Sequence, residues 1–180
     1  MPGHDVEATG SDPRAGYYER VARAFDQAAQ SYDSLYRTNP VMAWMRQESL
    51  AALQTAFPPG SRLLEIGCGT GDEALALSHA GYEIVATDIS PAMIAAARAK
   101  ATAGPGTVIW RVQAAAGVGA LAGEFGASSF DGAYASFGAL NCEPDLAPVA
   151  AGLARLLRPG AALVCSVMTR CCAWEIGWGL

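Results

Sequence analysis

A doubly wound α/β fold around a mostly parallel sheet is what this 180-residue sequence predicts, and three observations carry it. From Ser61 onward short apolar runs alternate with helical ones, the signature of strand-helix-strand units. The first of these runs, ending Leu63-Leu64-Glu65-Ile66, passes straight into a turn in which glycines alternate, Gly67-Cys68-Gly69-Thr70-Gly71. The second ends on an acid, Asp88, 21 residues after Gly67.

Taken in order, residues 1–16 are polar and rich in Gly, Pro and acids, which predicts a disordered tail. Residues 17–60 read as two helices: Tyr18, Val21, Phe25, Ala29 and Tyr32 recur at three- and four-residue steps, and a second helical stretch from about Pro40 to Ala56 stops at Pro58-Pro59-Gly60. Residues 61–168 are the predicted α/β core. Its strands are Arg62 to Ile66, Glu83 to Thr87, Thr107 to Gln113, Phe130 to Ser136 and Ala161 to Met168. Between them lie helices Asp72 to Ala80, Ala92 to Thr102 (with Ser90 as N-cap and Pro91 at the first position) and Asp145 to Leu157. One short helix is expected inside the Ala/Gly-rich stretch Ala114 to Gly126, and Arg158-Pro159-Gly160 is expected to turn into the fifth strand. Residues 169–180 read as the start of an incomplete C-terminal segment.

Composition narrows the functional classes. With 52% hydrophobic residues there is enough apolar material for one core. A net charge of -5, from 12 Lys+Arg against 17 Asp+Glu with no basic run, leaves no electrostatic footprint for nucleic acid. Cys68, Cys142, Cys165, Cys171 and Cys172 lack the spacing and nearby histidines of a zinc site, so no metal is expected. Reduced thiols and the lack of a basic-then-apolar start predict a cytoplasmic protein. The apolar stretch Val149 to Met168 is interrupted by Arg155, Arg158 and Pro159, so no membrane span is expected.

Glycines after a buried strand allow a sharp turn and a ligand approach closer than any Cβ would permit. The spacing is G-x-G-x-G rather than the G-x-G-x-x-G of a dinucleotide turn. Asp72 and Glu73 in the next helical turn, with Glu65 just upstream, crowd the loop with carboxylates; their plain reading is helix-dipole stabilisation, but an acidic surround also suits a cationic ligand better than a diphosphate. Asp88 lies where the carboxyl ends of adjacent strands share a crevice, and there it can accept hydrogen bonds from both hydroxyls of a ribose.

Leu63 to Gly71, Val85 to Ser90 and Leu156 to Gly160 resemble the strand-one, strand-two and pre-strand-five motifs of class I S-adenosylmethionine-dependent methyltransferases, whose fold is Rossmann-like. The resemblance implies S-adenosylmethionine as cofactor, with Gly67, Cys68, Gly69 and Gly71 beneath its methionine and ribose portions. Glu65 would reach toward the amino group, Asp88 would hold the ribose and Ile89 would lie against the adenine. Many members carry an acid after strand three for the adenine amino group; this sequence has Gln113 and Ala114 there. The family's sheet has seven strands, the last two forming an antiparallel hairpin. Five are read here, so the chain is expected to be C-terminally truncated, or completed by a homo-oligomer or a partner chain at the edge.

Resemblance further places Phe137 at the methionine end of the cofactor and Asn141 toward the acceptor, although core packing and a turn cap are the plainer roles of those residue types. The aromatic residues Tyr18, Phe25, Tyr32, Tyr36 and Trp44 would form a helical lid, with Tyr32 against the cofactor. His79 and His4 are both placed away from the pocket, so no general base is assigned. The expected reaction is methyl transfer to a small-molecule acceptor. The alternative is a catalytically inactive module that keeps the crevice and serves as a scaffold.

Overall fold

The computed structural model describes residues 14–169, without the side chains of 15 and 35–37. Expectations for the tail up to 13, for Cys171 and Cys172, and for the Tyr36 side chain therefore lie outside the described residues.

Two helices come first, α1 (Ala15–Arg37) and α2 (Pro40–Ala56), the latter capped by Asn39, whose side chain accepts the amides of Val41 and Met42. Then follow β1 (Arg62–Ile66), α3 (Asp72–His79), β2 (Glu83–Asp88), α4 (Pro91–Lys100), β3 (Thr107–Val112), α5 (Ala122–Phe125), β4 (Phe130–Ala135), α6 (Ala147–Leu156) and β5 (Leu157–Cys165). The sheet is parallel throughout in the order β3-β2-β1-β4-β5. No helix among the described residues is long and apolar enough to cross a membrane.

Because side chains alternate across a strand, the buried strands divide their residues between two apolar layers. Leu63, Ile84, Ala86 and Tyr134 pack with Leu53 of α2 and Phe57 just after it, Ala74 and Leu77 of α3, and Ile94 and Ala97 of α4. Leu64, Ile66, Val85, Ala133 and Ala135 pack on the other face with Val118, Leu121 and with Val149, Leu153 and Leu156 of α6. Glu65 lies on the α3 face, the one polar side chain in a strand that is otherwise buried and apolar after Arg62.

Several boundaries differ from the sequence reading. The Ala/Gly-rich stretch is a 3₁₀ segment, Ala115–Leu121, running into the single turn of α5. The reason is close backbone packing: a Cβ on Gly119 would lie 3.1 Å from the Gly152 Cα, and one on Gly152 would lie 2.8 Å from the Gly119 nitrogen. The fifth strand starts at Leu157, not Ala161, because Leu157 already pairs with Phe130. The Arg158-Pro159-Gly160 turn is absorbed as an irregularity before Ala162 pairs with Gly132, as befits a proline with no amide to donate and a glycine at φ +81°. At its other end β5 stops at Cys165, because Met168 pairs its backbone with the Asn141 side chain. Helix α6 begins at Ala147 rather than Asp145, whose carboxylate instead accepts the Ala147 amide.

Candidate functional site

The chain order reverses between β1 and β4, and at such a point the connections leave the two strands in opposite directions and open a crevice. A cavity of about 260 Å³ occupies it. Its floor is the end of β1 and the turn after it, Ile66 to Thr70; one wall is Asp88 at the end of β2 and Ile89 after it, with Met93 of α4, Gln113 and Ala115; the other is Ser136 to Ala139 after β4. Tyr18, Val21, Phe25 and Tyr32, one face of α1, form the roof.

The β1 turn is held from both sides. The Cys68 amide donates to the Thr87 carbonyl, and the Gly69 amide donates to the Asp88 carboxylate at 2.8 Å. Gly67, Gly69 and Gly71 all have positive φ, but they do different things. A Cβ on Gly69 would find its nearest neighbour at 3.8 Å, in Tyr32, so this glycine keeps the backbone open to the cavity. A Cβ on Gly67 would collide with Ala139 at 2.4 Å. Gly71 is not in the lining; a Cβ there would strike Trp110 at 2.5 Å and Ala97 at 2.9 Å, so it allows α3 to pack against β3 and α4.

Asp88, 8% exposed, also accepts the Ser90 amide at 2.8 Å. Burial raises its carboxyl pKa, while the amides of Ser90 and Gly69 oppose that shift. Glu65 is 1% exposed, and its Oε2 has no hydrogen-bond partner. Burial foremost, then the neighbouring Glu73, Asp88 and Asp72, push its carboxyl well above the usual range. The buried hydroxyl of Tyr134, its register partner on β4, stands beside this carboxyl and opposes the shift.

Asp72 and Glu73 do more than face a helix dipole. Arg46 of α2 binds both, at 2.5 Å and 2.7 Å, while its guanidinium lies 5.6 Å from the Phe137 ring centroid. Lys100 of α4 joins Asp72 at 2.5 Å to Asp33 of α1 at 2.7 Å, and Asp33 accepts the Thr70 hydroxyl. On the opposite side Asp26 of α1 accepts the Ser90 hydroxyl and the Ala92 amide at the start of α4. Near the mouth the Tyr18 hydroxyl donates to Glu143, and burial with that bond pushes the Tyr18 pKa up to about 12. The two N-terminal helices are thus fastened to the glycine turn and to α4 by charge.

Of the sequence-derived candidates, Tyr32, Glu65, Gly67, Cys68, Gly69, Asp88, Ile89, Gln113 and Phe137 all border the cavity. Gly71 is set back for the reason above. Ala114 is also set back, its carbonyl accepting the Gly117 amide, and Ala115 takes the lining position. Asn141 is outside the lining too: its amide donates to the Met168 carbonyl and accepts the Met168 amide, the turn-stabilising role. Phe137 holds φ +54°, a left-handed backbone unusual for an aromatic residue, with its amide donating to Ser166. His79 is exposed beside Thr102, away from the cavity. Arg46, Lys100 and Asp26 escaped the sequence reading. The signal was the acidic pair at a buried turn, which requires cations nearby, but local pattern does not say which of 12 Lys+Arg supply them.

The parallel sheet, the glycine turn and the acid at the end of β2 define a class I S-adenosylmethionine-dependent methyltransferase domain. A methyltransferase-domain family model matches residues 63–160, and the chain belongs to that family. It is 35% identical to a demethylmenaquinone methyltransferase of Parafrankia sp. over 171 residues, 84% of this chain and 64% of that protein. It is 34% identical to a ubiquinone biosynthesis O-methyltransferase of Xanthomonas axonopodis pv. citri over 76% of this chain and 52% of that one. Among solved structures, an S-adenosylmethionine-dependent methyltransferase from Mesorhizobium loti superposes with a TM-score of 0.53 at 26% identity, covering 68% of this chain and 52% of that one. The chain spans between about half and two thirds of the length of these relatives.

Proposed function

We propose that this protein transfers the methyl group of S-adenosylmethionine to a small apolar acceptor. The observation that carries the reading is the cavity itself, in which an unpartnered buried carboxylate oxygen, an open glycine turn and a ribose-competent acid converge at the switch point of the sheet. S-adenosylmethionine supplies a methyl on a sulfonium, with a neutral thioether as leaving group.

The residues present suit that molecule. Glu65 Oε2 is an acceptor without a donor and would take the amino group. Arg46 at the same end offers a guanidinium to the carboxylate. Asp88 already accepts two amides, yet a carboxylate has about four lone-pair sites, so capacity remains for ribose hydroxyls. Ile89 and Met93 would flank the base. Acids outnumber cations around the cavity, which favours a sulfonium over a diphosphate.

With so good a leaving group, positioning supplies much of the acceleration. Phe137 and its neighbours Ser136 to Ala139 shape the methyl end, and the roof of α1 excludes water. Beyond Phe137 a second hollow runs between α2 and β5, lined by Trp44, Met45, Ala52, Leu53 and Val164 and sharing Ser136 and Phe137 with the first. That lining suits an apolar ring or tail, as do the quinone-related names of the relatives. Those relatives also speak against the inactive-scaffold alternative.

The test is calorimetric titration with S-adenosylhomocysteine, with NAD as control and circular dichroism to establish the folded state, followed by methyl-transfer assays on short-chain hydroxyquinols and on amines. Micromolar binding of the homocysteine compound alone, with turnover of a quinol, is expected. A folded chain that binds neither nucleotide would sink the reading.

A further inference from the structure

We propose that Gln113 makes the base end of this site permissive for a 6-oxopurine, so that the protein accepts a hypoxanthine-bearing cofactor nearly as well as an adenine-bearing one. The inference rests on the cofactor reading above and concerns its least constrained part.

With Asp88 on the ribose, the base falls to the lining beside that acid: Ile89 and Met93, which are apolar, and Gln113, whose backbone amide donates to the Asp88 carbonyl, with Ala115. The other acids of the described lining are engaged or remote from it. Asp88 accepts the Gly69 and Ser90 amides, Asp72 and Glu73 pair with Arg46, Glu143 accepts the Tyr18 hydroxyl, and Glu65 belongs to the β1 strand. The carbonyl of Ala114 is also taken, by the Gly117 amide. Gln113 is then the side chain at that end able to read a purine edge. Its own amide is lightly held, with a single 3.4 Å contact from Nε2 to the Ala114 carbonyl. It also has room: a Cβ on Gly117 would fall 2.3 Å from Gln113 Nε2, so the glycine is what leaves space for the carboxamide.

The chemistry follows from the donor and acceptor pattern. Adenine presents an N6 donor beside the N1 acceptor, and hypoxanthine presents an O6 acceptor beside an N1 donor. A carboxylate can only accept, so one that faces position 6 takes the N6 proton of adenine and repels the O6 of hypoxanthine. A carboxamide carries one acceptor and one donor group and exchanges their places by a half-turn about its last torsion. It can therefore match either edge.

The experiment titrates the full chain with S-adenosylhomocysteine and with its deaminated counterpart, S-inosylhomocysteine, for the parent and for Gln113→Glu, with thermal melts to establish that both are folded. For the parent, affinities within about tenfold of each other are expected. For Gln113→Glu, S-adenosylhomocysteine should be retained while the inosyl compound weakens by about 100-fold or more, as expected when a buried polar edge meets the wrong partner. Parent discrimination above about 100-fold against the inosyl compound, with S-adenosylhomocysteine still bound, would overturn the proposal and leave the cofactor reading standing. Equal affinities in the Gln113→Glu variant would remove Gln113 as the reader. Failure of the folded parent to bind either compound would overturn the cofactor reading, and this inference with it.

Discussion

The carboxylate of Asp88 accepts the amide of Gly69 at 2.8 Å, so the acid at the end of β2 and the glycine turn after β1 form one hydrogen-bonded unit. Asp88 thus has two tasks, shaping the turn and meeting the ribose. Asp88→Ala should weaken S-adenosylhomocysteine binding by about 100-fold, the scale expected when hydrogen bonds to a charged group are lost. It should also lower stability by about 1–3 kcal/mol, because the Gly69 and Ser90 amides lose their acceptor. Far-UV circular dichroism should be unchanged. Wild-type affinity in the variant would remove the ribose assignment.

Two glycines of the same turn should respond differently to a methyl group. Gly71→Ala drives a Cβ into Trp110 and Ala97 at φ +81° and should cost at least about 2 kcal/mol in a urea titration. Gly69→Ala meets nothing closer than 3.8 Å and should cost about 1–2 kcal/mol from its backbone conformation. Its larger effect should be on affinity, since the new methyl enters the cavity. Equal stability losses would mean that Gly71 is not a packing glycine.

Arg46 is tested by charge removal in pairs. Glu73 is only 4% exposed, so Arg46→Met leaves a nearly buried carboxylate with its main cation gone. A loss of roughly 1–3 kcal/mol is expected, below the fully buried range because about a quarter of the Arg46 side chain is exposed. Adding Glu73→Gln should recover most of it. A double variant no more stable than Arg46→Met would show that the ion pair is not what fastens α2 to α3.

The pH dependence of stability should carry the signature of Glu65. Its unfolded-state pKa is near 4.5, and in the folded protein burial and neighbouring acids raise it well above that. Between those two values the native state binds more protons than the unfolded chain, so stability falls as pH rises through that window. Asp88 and Glu73 shift the same way and deepen the slope. Glu65→Gln should therefore lose less of its thermal midpoint between pH 4.5 and pH 8 than the parent. Parallel profiles for the two proteins would contradict the assignment.

What was legible in the sequence and what was not divides along a physical line. The limits of β1, the turn after it, Asp88 at a strand end and the helix opened by Ser90 and Pro91 were all readable, because each depends on neighbours within a few residues. Hydrophobic alternation, missing Cβ atoms and a fixed proline φ act locally, and so local pattern sufficed for the fold class and for the floor of the site. The early start of β5 and the 3₁₀ segment after β3 were not readable. One depends on Leu157 pairing with Phe130 and the other on Gly119 meeting Gly152, contacts across about thirty positions in the chain. The same holds for the roof. That Arg46 and Lys100 would meet Asp72, Glu73 and Asp33, and that the Asn141 amide would bind the Met168 backbone rather than face the cavity, depends on helices and loops brought together by packing. Charge and hydrogen bonding select partners by distance in space, which spacing along the chain does not encode.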